Sequence, residues 1–376
     1  MSLKEIYCQD RAINALQRAF AAGKVPHAYI FAGPEGIGKF KTAREWAKLL
    51  LCKDPVIEKP ANTQFADPCN CCQSCKLFDA GSHPDFNPVY KELLEFTKEG
   101  EGRTTPVELP IDVIREFLIQ KVSTRPTLSQ RKVFLVSEAE KLNASSQNSL
   151  LKVLEEPPEY CCIILLCTSL ERLLPTTNSR SQVIRFGPIA EDKIIQKLEQ
   201  MGADKQKAQY FARLAQGSLG LACQWADLEL ADANLYQTKK ELLCSIAVCE
   251  YADALDLAKR FLDEARRINA VWTKLDVTTS KTDISRRVEK TLIQIVISAF
   301  HDAMKLNFTP AKAFINFDQP QQIKKIAERF NSAQAAEKII DACKTMRWID
   351  SAVNEKLIFE QLLLNLAISD KIKVLG

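Results

Sequence analysis

The sequence predicts an α/β domain with a parallel sheet and a phosphate-binding loop, followed by an all-helical region. Three observations predict it. Short apolar runs alternate with helical patterns from residue 1 to about 187. A glycine-rich segment, Gly33-Pro34-Glu35-Gly36-Ile37-Gly38-Lys39, lies between a strand-like run and a helical one. After Pro188 the pattern becomes helical and stays so. Strands separated by helical crossovers build parallel sheets, which is why the alternation carries the prediction.

The chain has 376 residues, 46% of them hydrophobic, enough for two or three domains. Charged residues make up 26%, which argues against wholesale disorder. A net charge of +4 is compatible with nucleic acid nearby but does not by itself argue for it. The start, MSLKEIYCQD, lacks an apolar signal core, and the longest apolar run, Tyr160 to Cys167, is too short to span a bilayer. The expectation is a soluble, intracellular, cytoplasmic protein with no membrane partner.

Ala28 to Phe31, Val133 to Val136, Cys161 to Cys167 and Val183 to Phe186 read as buried strands, being short, apolar and rich in branched residues. Two stretches read as surface excursions. Lys53 to Pro68 is polar with three prolines, and Lys91 to Pro110 includes Glu99-Gly100-Glu101-Gly102. In the helical part, Val288, Leu292, Ile295, Val296 and Ala299 fall on one face, as do Phe359, Leu362, Leu363 and Leu366. These stripes read as core or subunit contact.

Gly33 to Lys39 fits G-x-x-x-x-G-K in the strand–loop–helix setting that the motif needs, between Ala28–Phe31 and Thr42–Leu51. Gly33, Gly36 and Gly38 let backbone N–H groups turn toward phosphate oxygens, and Lys39 supplies a point charge. The next residue should be Ser or Thr to ligate Mg²⁺, but it is Phe40. Thr42 does not substitute, because two residues along a helix is about 200° around it. The loop therefore reads either as a weak nucleotide site or as a framework kept for the fold. A second motif follows Val133–Val136 at Ser137-Glu138-Ala139-Glu140. An Asp at that strand end holds Mg²⁺ in P-loop ATPases. Here Ser137 stands in its place and Glu138 remains. With metal ligands missing at two motifs, hydrolysis in this chain should be slower by orders of magnitude.

Of 13 cysteines, eight are scattered (Cys8, Cys161, Cys162, Cys167, Cys223, Cys244, Cys249 and Cys343) and read as small buried hydrophobes. The other five cluster at 52–75. Cys69-x-x-Cys72-x-x-Cys75 has turn-compatible spacing, and Cys52 lies seventeen positions earlier. Four thiolates can close a tetrahedral structural zinc site. Cys71 is adjacent and could compete, though it breaks the two-residue spacing. The alternative is a reduced loop that holds no metal.

Leu150-Leu151-Lys152-Val153-Leu154-Glu155-Glu156-Pro157-Pro158 follows the second motif, then a strand ending at Cys167-Thr168-Ser169, then Leu174-Pro175-Thr176-Thr177-Asn178-Ser179-Arg180-Ser181. This series resembles the clamp-loader branch of the AAA+ ATPases, and within it the bacterial DNA polymerase III gamma/tau and delta-prime subunits. The resemblance covers most of residues 1–225. It implies an AAA+ P-loop domain over 1–187 carrying a zinc module at 52–75, a small helical lid over 188–243, and an all-α collar over 244–376. It implies assembly with gamma/tau and delta subunits in a hetero-pentameric ring that places a sliding clamp on primed DNA. Within it, Arg180 matches the arginine that reaches a neighbouring subunit's nucleotide, Gly220 replaces a lid arginine of the active motors, and Cys52, Cys69, Cys72 and Cys75 match the zinc ligands. His83 matches a His-Pro-Asp at the start of the next strand and is expected to pack rather than ligate. The losses at Phe40, Ser137 and Gly220, with Arg180 kept, favour a non-hydrolysing, stator-like subunit of the delta-prime kind, working within the DNA polymerase III holoenzyme without ATPase or polymerase activity of its own. The rival expectation is an active gamma/tau-type motor.

Overall fold

The computed structural model describes residues 3–58, 65–97, 107–277, 279–351 and 353–367. The chain divides into two compact units, Met1–Ile189 and Ala190–Gly376.

The first unit holds strands β1 (Ala28–Ala32), β2 (Val56–Glu58), β3 (Phe65–Asp67), β4 (Phe86–Val89), β5 (Lys132–Val136), β6 (Cys161–Cys167) and β7 (Gln182–Arg185). Five of them form a parallel sheet in the order β4-β5-β6-β1-β7, while β2 and β3 make a separate antiparallel pair. The four expected strands lie within one residue of their predicted bounds. Strand β4 was foretold only by the family's His-Pro-Asp, because Asn87 and Pro88 spoil its apolar run. Proline is tolerated there because β4 is an edge strand, where a missing N–H costs no ladder bond.

Alternation divides the residues of β1 between two cores. Tyr29 and Phe31 face one side with Trp46 and Leu49; Ala28, Ile30 and Ala32 face the other with Leu150 and Leu154. Helices α1 (Asp10–Ala21) and α2 (Lys39–Leu51) supply the first side, where Trp46 meets Tyr29 edge-on at 5.8 Å. Helix α3 (Gln73–Asp79) follows β3. The second side is covered by α4 (Ile111–Ile114) and α5 (Gln120–Val122), joined through a π turn at Arg115–Ile119, and by α6 (Ala144–Glu155). Asn143 starts α6 by accepting the Ser146 N–H at 2.8 Å. The short α7 (Pro175–Ser179) precedes β7.

The expected surface excursion from Lys91 needs correction. Lys91–Phe96 forms a 3₁₀ turn that buries Leu93 and Leu94 in the second core, since two adjacent leucines gain more from burial than a surface loop can return. Glu99-Gly100-Glu101-Gly102 lies outside the described residues.

The second unit is helical: α8 (Glu191–Gln200), α9 (Lys205–Leu214), α10 (Leu219–Leu230), α11 (Leu235–Val248), α12 (Ala254–Leu275), α13 (Lys281–Lys305), α14 (Pro320–Arg329), α15 (Ser332–Ile349) and α16 (Glu355–Ala367). Both predicted apolar stripes are buried, Val288 to Ala299 on α13 and Phe359 to Leu366 on α16. The expected lid–collar boundary at 243/244 falls inside α11. Buried Lys239 of that helix pairs with Asp318 beneath the rings of Tyr210 and Tyr236. No described helix is long and apolar enough to cross a membrane.

The scattered cysteines divide. Cys161, Cys162, Cys167 and Cys249 are buried as expected, whereas Cys8, Cys244 and Cys343 are exposed. None of the 13 forms a disulfide.

Candidate functional site

In a parallel sheet the loops that act gather at the carboxyl ends of the strands. The loop after β1 is the glycine-rich one. Gly33 has φ +153°, and a Cβ there would stand 2.5 Å from the Phe186 carbonyl oxygen, so the backbone approach requires glycine. Gly36 and Gly38 have φ of 73° and 99°, the left-handed region that glycine takes freely. Gly38 caps α2, which starts at Lys39. The Gln9 side-chain amide braces the loop, donating to the Ile37 carbonyl at 3.1 Å and the Gly187 carbonyl at 2.9 Å.

Lys39 is 8% exposed, and its amino group donates to the Gly33 and Pro34 carbonyls of its own loop. Burial lowers its pKa, partly offset by the carboxylates of Glu140 and Glu35. Phe40 is half exposed and offers no oxygen. Thr42 is fully buried, and its hydroxyl is spent on the Gly38 carbonyl at 3.0 Å. The Ser137 N–H extends the β4–β5 ladder by donating to the Val89 carbonyl at 2.9 Å. At the two positions where the motif calls for Mg²⁺ ligands, Phe40 offers no oxygen and Ser137 no carboxylate.

Glu138 stands in the left-handed region at φ 51°, and its carboxylate pairs with Lys141 at 2.6 Å and Lys91 at 3.9 Å. Sequence reasoning passed over its neighbour. Glu140 accepts the Thr168 hydroxyl at 2.6 Å. No spacing rule marks it: only the parallel register of β5, β6 and β1 brings the three loops together.

Arg180 ends α7. Its guanidinium pairs with Glu155 of α6 at 2.9 Å and donates to the Thr176 carbonyl at 3.2 Å, with about a third of the side chain exposed. Gly220 lies in the first turn of α10, whose N-cap Ser218 accepts the Leu221 N–H at 3.3 Å. Lys152 is exposed on α6.

The thiol sulfurs of Cys52, Cys69, Cys72 and Cys75 all lie within 4.8 Å of one another, so this group could hold a metal ion. Cys52 and Cys69 are 3.5 Å apart, and Cys69 and Cys75 are 4.0 Å apart. Tetrahedral bonds of about 2.3 Å require sulfur edges of about 3.8 Å, so the residues fit. Backbone N–H groups already face the sulfurs: Cys69 donates to Cys52, Cys72 to Cys69 and Cys75 to Cys72, at 3.3 to 3.5 Å. Burial opposes ionisation of Cys69, but N–H donors from Cys71 and Cys72 outweigh it and bring its pKa down to about 6. Cys71 is exposed and outside the group.

His83 packs, as expected. Its Nδ1 accepts the Asp85 N–H at 3.1 Å, so a neutral ring carries its proton on Nε2, which faces Ser74 Oγ at 2.8 Å. Burial lowers its pKa, favouring that neutral form. Ser74 and Ser129 both donate to the Leu51 carbonyl, at 2.6 and 2.8 Å. This network ties α3, which carries Cys75, to the end of α2, beside Cys52.

Residues 8–190 match the family model described as "DNA polymerase III, delta subunit", and residues 281–367 match "DNA polymerase III, delta subunit, C terminal". The chain is 30% identical over 355 residues to the DNA polymerase III gamma subunit of Buchnera aphidicola, covering 82% of this chain and 92% of that protein. It is 30% identical over 230 residues to the tau subunit of Bacillus subtilis and 29% identical over 206 residues to the delta-prime subunit of the same organism. Those matches take in 61% and 55% of this chain, and the chain spans only 36% and 56% of those two relatives.

Proposed function

This chain belongs to the family of DNA polymerase III clamp-loader subunits, and from that premise we propose that it is the non-hydrolysing, stator-like subunit of the delta-prime kind. The observation that carries this reading is the contrast between two parts of one domain. The positions where Mg²⁺ ligands are needed hold Phe40, a spent Thr42 hydroxyl and Ser137. Arg180, by contrast, presents a partly exposed guanidinium at a helix end. A guanidinium is always charged and meets phosphate oxygens in a forked geometry. Arg180 would thus complete the nucleotide site of a neighbouring gamma/tau subunit, where such a finger accelerates hydrolysis by roughly a thousandfold or more. Glu155 holds it ready, and the pair's exposure keeps the cost of releasing it to about 1 kcal/mol or less.

The four thiolates would hold a structural zinc, which closes the module from β2 to α3 and leaves no coordination position for chemistry. Helices over 188–243 would serve as the lid and those over 244–376 as the collar of a five-membered ring with gamma/tau and delta subunits, acting on a sliding clamp at primed DNA in the cytoplasm.

The active-motor reading is favoured by one observation, the end-to-end match to a gamma subunit. Reconstitution with gamma/tau and delta subunits separates the two. Arg180→Ala should lower DNA-stimulated ATP turnover of the complex at least tenfold, whereas Lys39→Ala should leave it within twofold. If Lys39→Ala abolishes turnover, or the chain alone hydrolyses ATP when DNA is added, the stator reading falls.

A further inference from the structure

We infer that Glu155 parks the arginine finger: its carboxylate competes with the phosphates of the neighbouring subunit's nucleotide for the Arg180 guanidinium, so that docking of the finger must first break a bond within this chain. The inference rests on the reading of Arg180 as a trans-acting finger, and makes Glu155 a positioning residue that regulates it.

The competition follows from which nitrogens are engaged. Glu155 Oε1 holds Nη2 of Arg180 at 2.9 Å, while Nη1 donates to the Thr176 carbonyl at 3.2 Å and to Ser179 Oγ at 3.5 Å. A guanidinium grips phosphate with two nitrogens at once. Both terminal nitrogens already serve acceptors of this chain, and of those acceptors Glu155 carries the charge. A bond to an ionised group is roughly twice as strong as a neutral one, so Glu155 is the acceptor that a phosphate has chiefly to displace.

Two further observations give the parked state its weight. Glu155 is the last residue of α6, and Glu156 caps it. Acids at a helix C-terminus stand at the negative end of the helix dipole, where a cation is favourable. Lys152 is the basic residue of that last turn, so when Arg180 leaves, one cation remains for two acids. The finger segment is also short of polar ties. Thr177 Oγ1, Asn178 Oδ1 and Ser181 Oγ are buried without a hydrogen-bond partner among the described residues. The ion pair is thus a charged link from the finger segment to α6, which packs beside α7. Both side chains are partly exposed, so the parked state is shallow: it delays the finger without blocking it.

The test is ATP turnover by the complex reconstituted with gamma/tau and delta subunits, sliding clamp and primed DNA, read as kcat/KM for ATP against salt. Glu155→Gln keeps the length and shape of the side chain and removes its charge. At low salt it should raise kcat/KM about two- to fivefold, the range that an exposed ion pair can supply. In the wild type, salt weakens parking and docking alike, and the two effects partly cancel. In Glu155→Gln only docking is left to weaken, so kcat/KM should fall more steeply as salt rises. With Arg180→Ala in the background, Glu155→Gln should change nothing. An unchanged or lowered kcat/KM in Glu155→Gln overturns the inference, as does a gain that survives Arg180→Ala. If Arg180→Ala alone leaves turnover unchanged, the finger reading itself fails, whatever Glu155→Gln does.

Discussion

Asp85 shows how much one buried carboxylate can organise. It is fully buried, and its two oxygens accept the N–H groups of Thr127, Leu128 and Ser129 at 2.6 to 2.8 Å. Those donors close the loop before β5 and hold Ser129 against the Leu51 carbonyl. Asp85→Ala leaves three donors unmet and should cost at least about 3 kcal/mol of stability in the first unit. Urea unfolding followed through Trp46 reads this; a midpoint unchanged from wild type would show that water replaces the carboxylate freely. The histidine before it acts by packing, so His83→Ala should destabilise without altering metal content. Glu138 and Glu140 differ for the same kind of reason. Both follow β5, yet the carboxylate of one pairs with Lys141 and Lys91 while the other accepts the Thr168 hydroxyl.

At the scale of elements, the thiol module and the α13–α16 pair each make a prediction. If the module holds zinc, purified chain should contain about one zinc per molecule by elemental analysis. Cys52→Ser and Cys75→Ser should each lose it, while Cys71→Ser should keep it, because that thiol lies outside the cluster. Retention of zinc by Cys52→Ser would remove the four-thiolate assignment. In the second unit, Glu289 of α13 is 4% exposed and faces Glu355 of α16, with Arg286 and Lys290 on its own helix. Lys290 is itself engaged with Asp350, and Glu355 accepts from Ser285. Burial, then the neighbouring carboxylate, pushes Glu289 up from 4.5 to about 8. The folded pKa exceeds the unfolded one, so this stabilisation is complete below the unfolded value and is lost as pH rises through the folded one. The Tm of the second unit should fall between pH 5 and 8, by up to roughly 1.4 kcal/mol per pH unit in stability, and Glu289→Gln should flatten that fall. Parallel Tm profiles for the two proteins would exclude Glu289 as the titrating group.

At the scale of the molecule, the chain folds as two compact units. The first carries the phosphate loop, the thiol cluster and Arg180; the second is a helical body whose buried Lys239–Asp318 pair ties α11 to the segment before α14. Assembly and chemistry should therefore separate. Complexes made with Arg180→Ala should elute at the wild-type size in gel filtration while losing ATP turnover, because the substitution touches no core residue. Dissociation of the complex in place of lost turnover would make Arg180 an interface anchor and not a finger.

The sequence by itself determined the α/β-then-helical order, four of the five sheet strands, the phosphate loop, the four-thiol group and the stripes on α13 and α16. Each is encoded locally, in a strand-length apolar run, a fixed glycine or cysteine spacing, or a 3.6-residue period. Strand β4 was legible only by resemblance, since its Pro88 is acceptable at a sheet edge, and an edge is a property of the whole sheet. Across 243/244 the chain stays in one compact unit, and within it Lys239 finds Asp318 seventy-nine residues away. The bond between Thr168 and Glu140 is likewise a tertiary decision. Parallel strand register places the ends of β1, β5 and β6 side by side, and which of four consecutive residues after β5 reaches Thr168 depends on backbone turns that residue spacing does not encode.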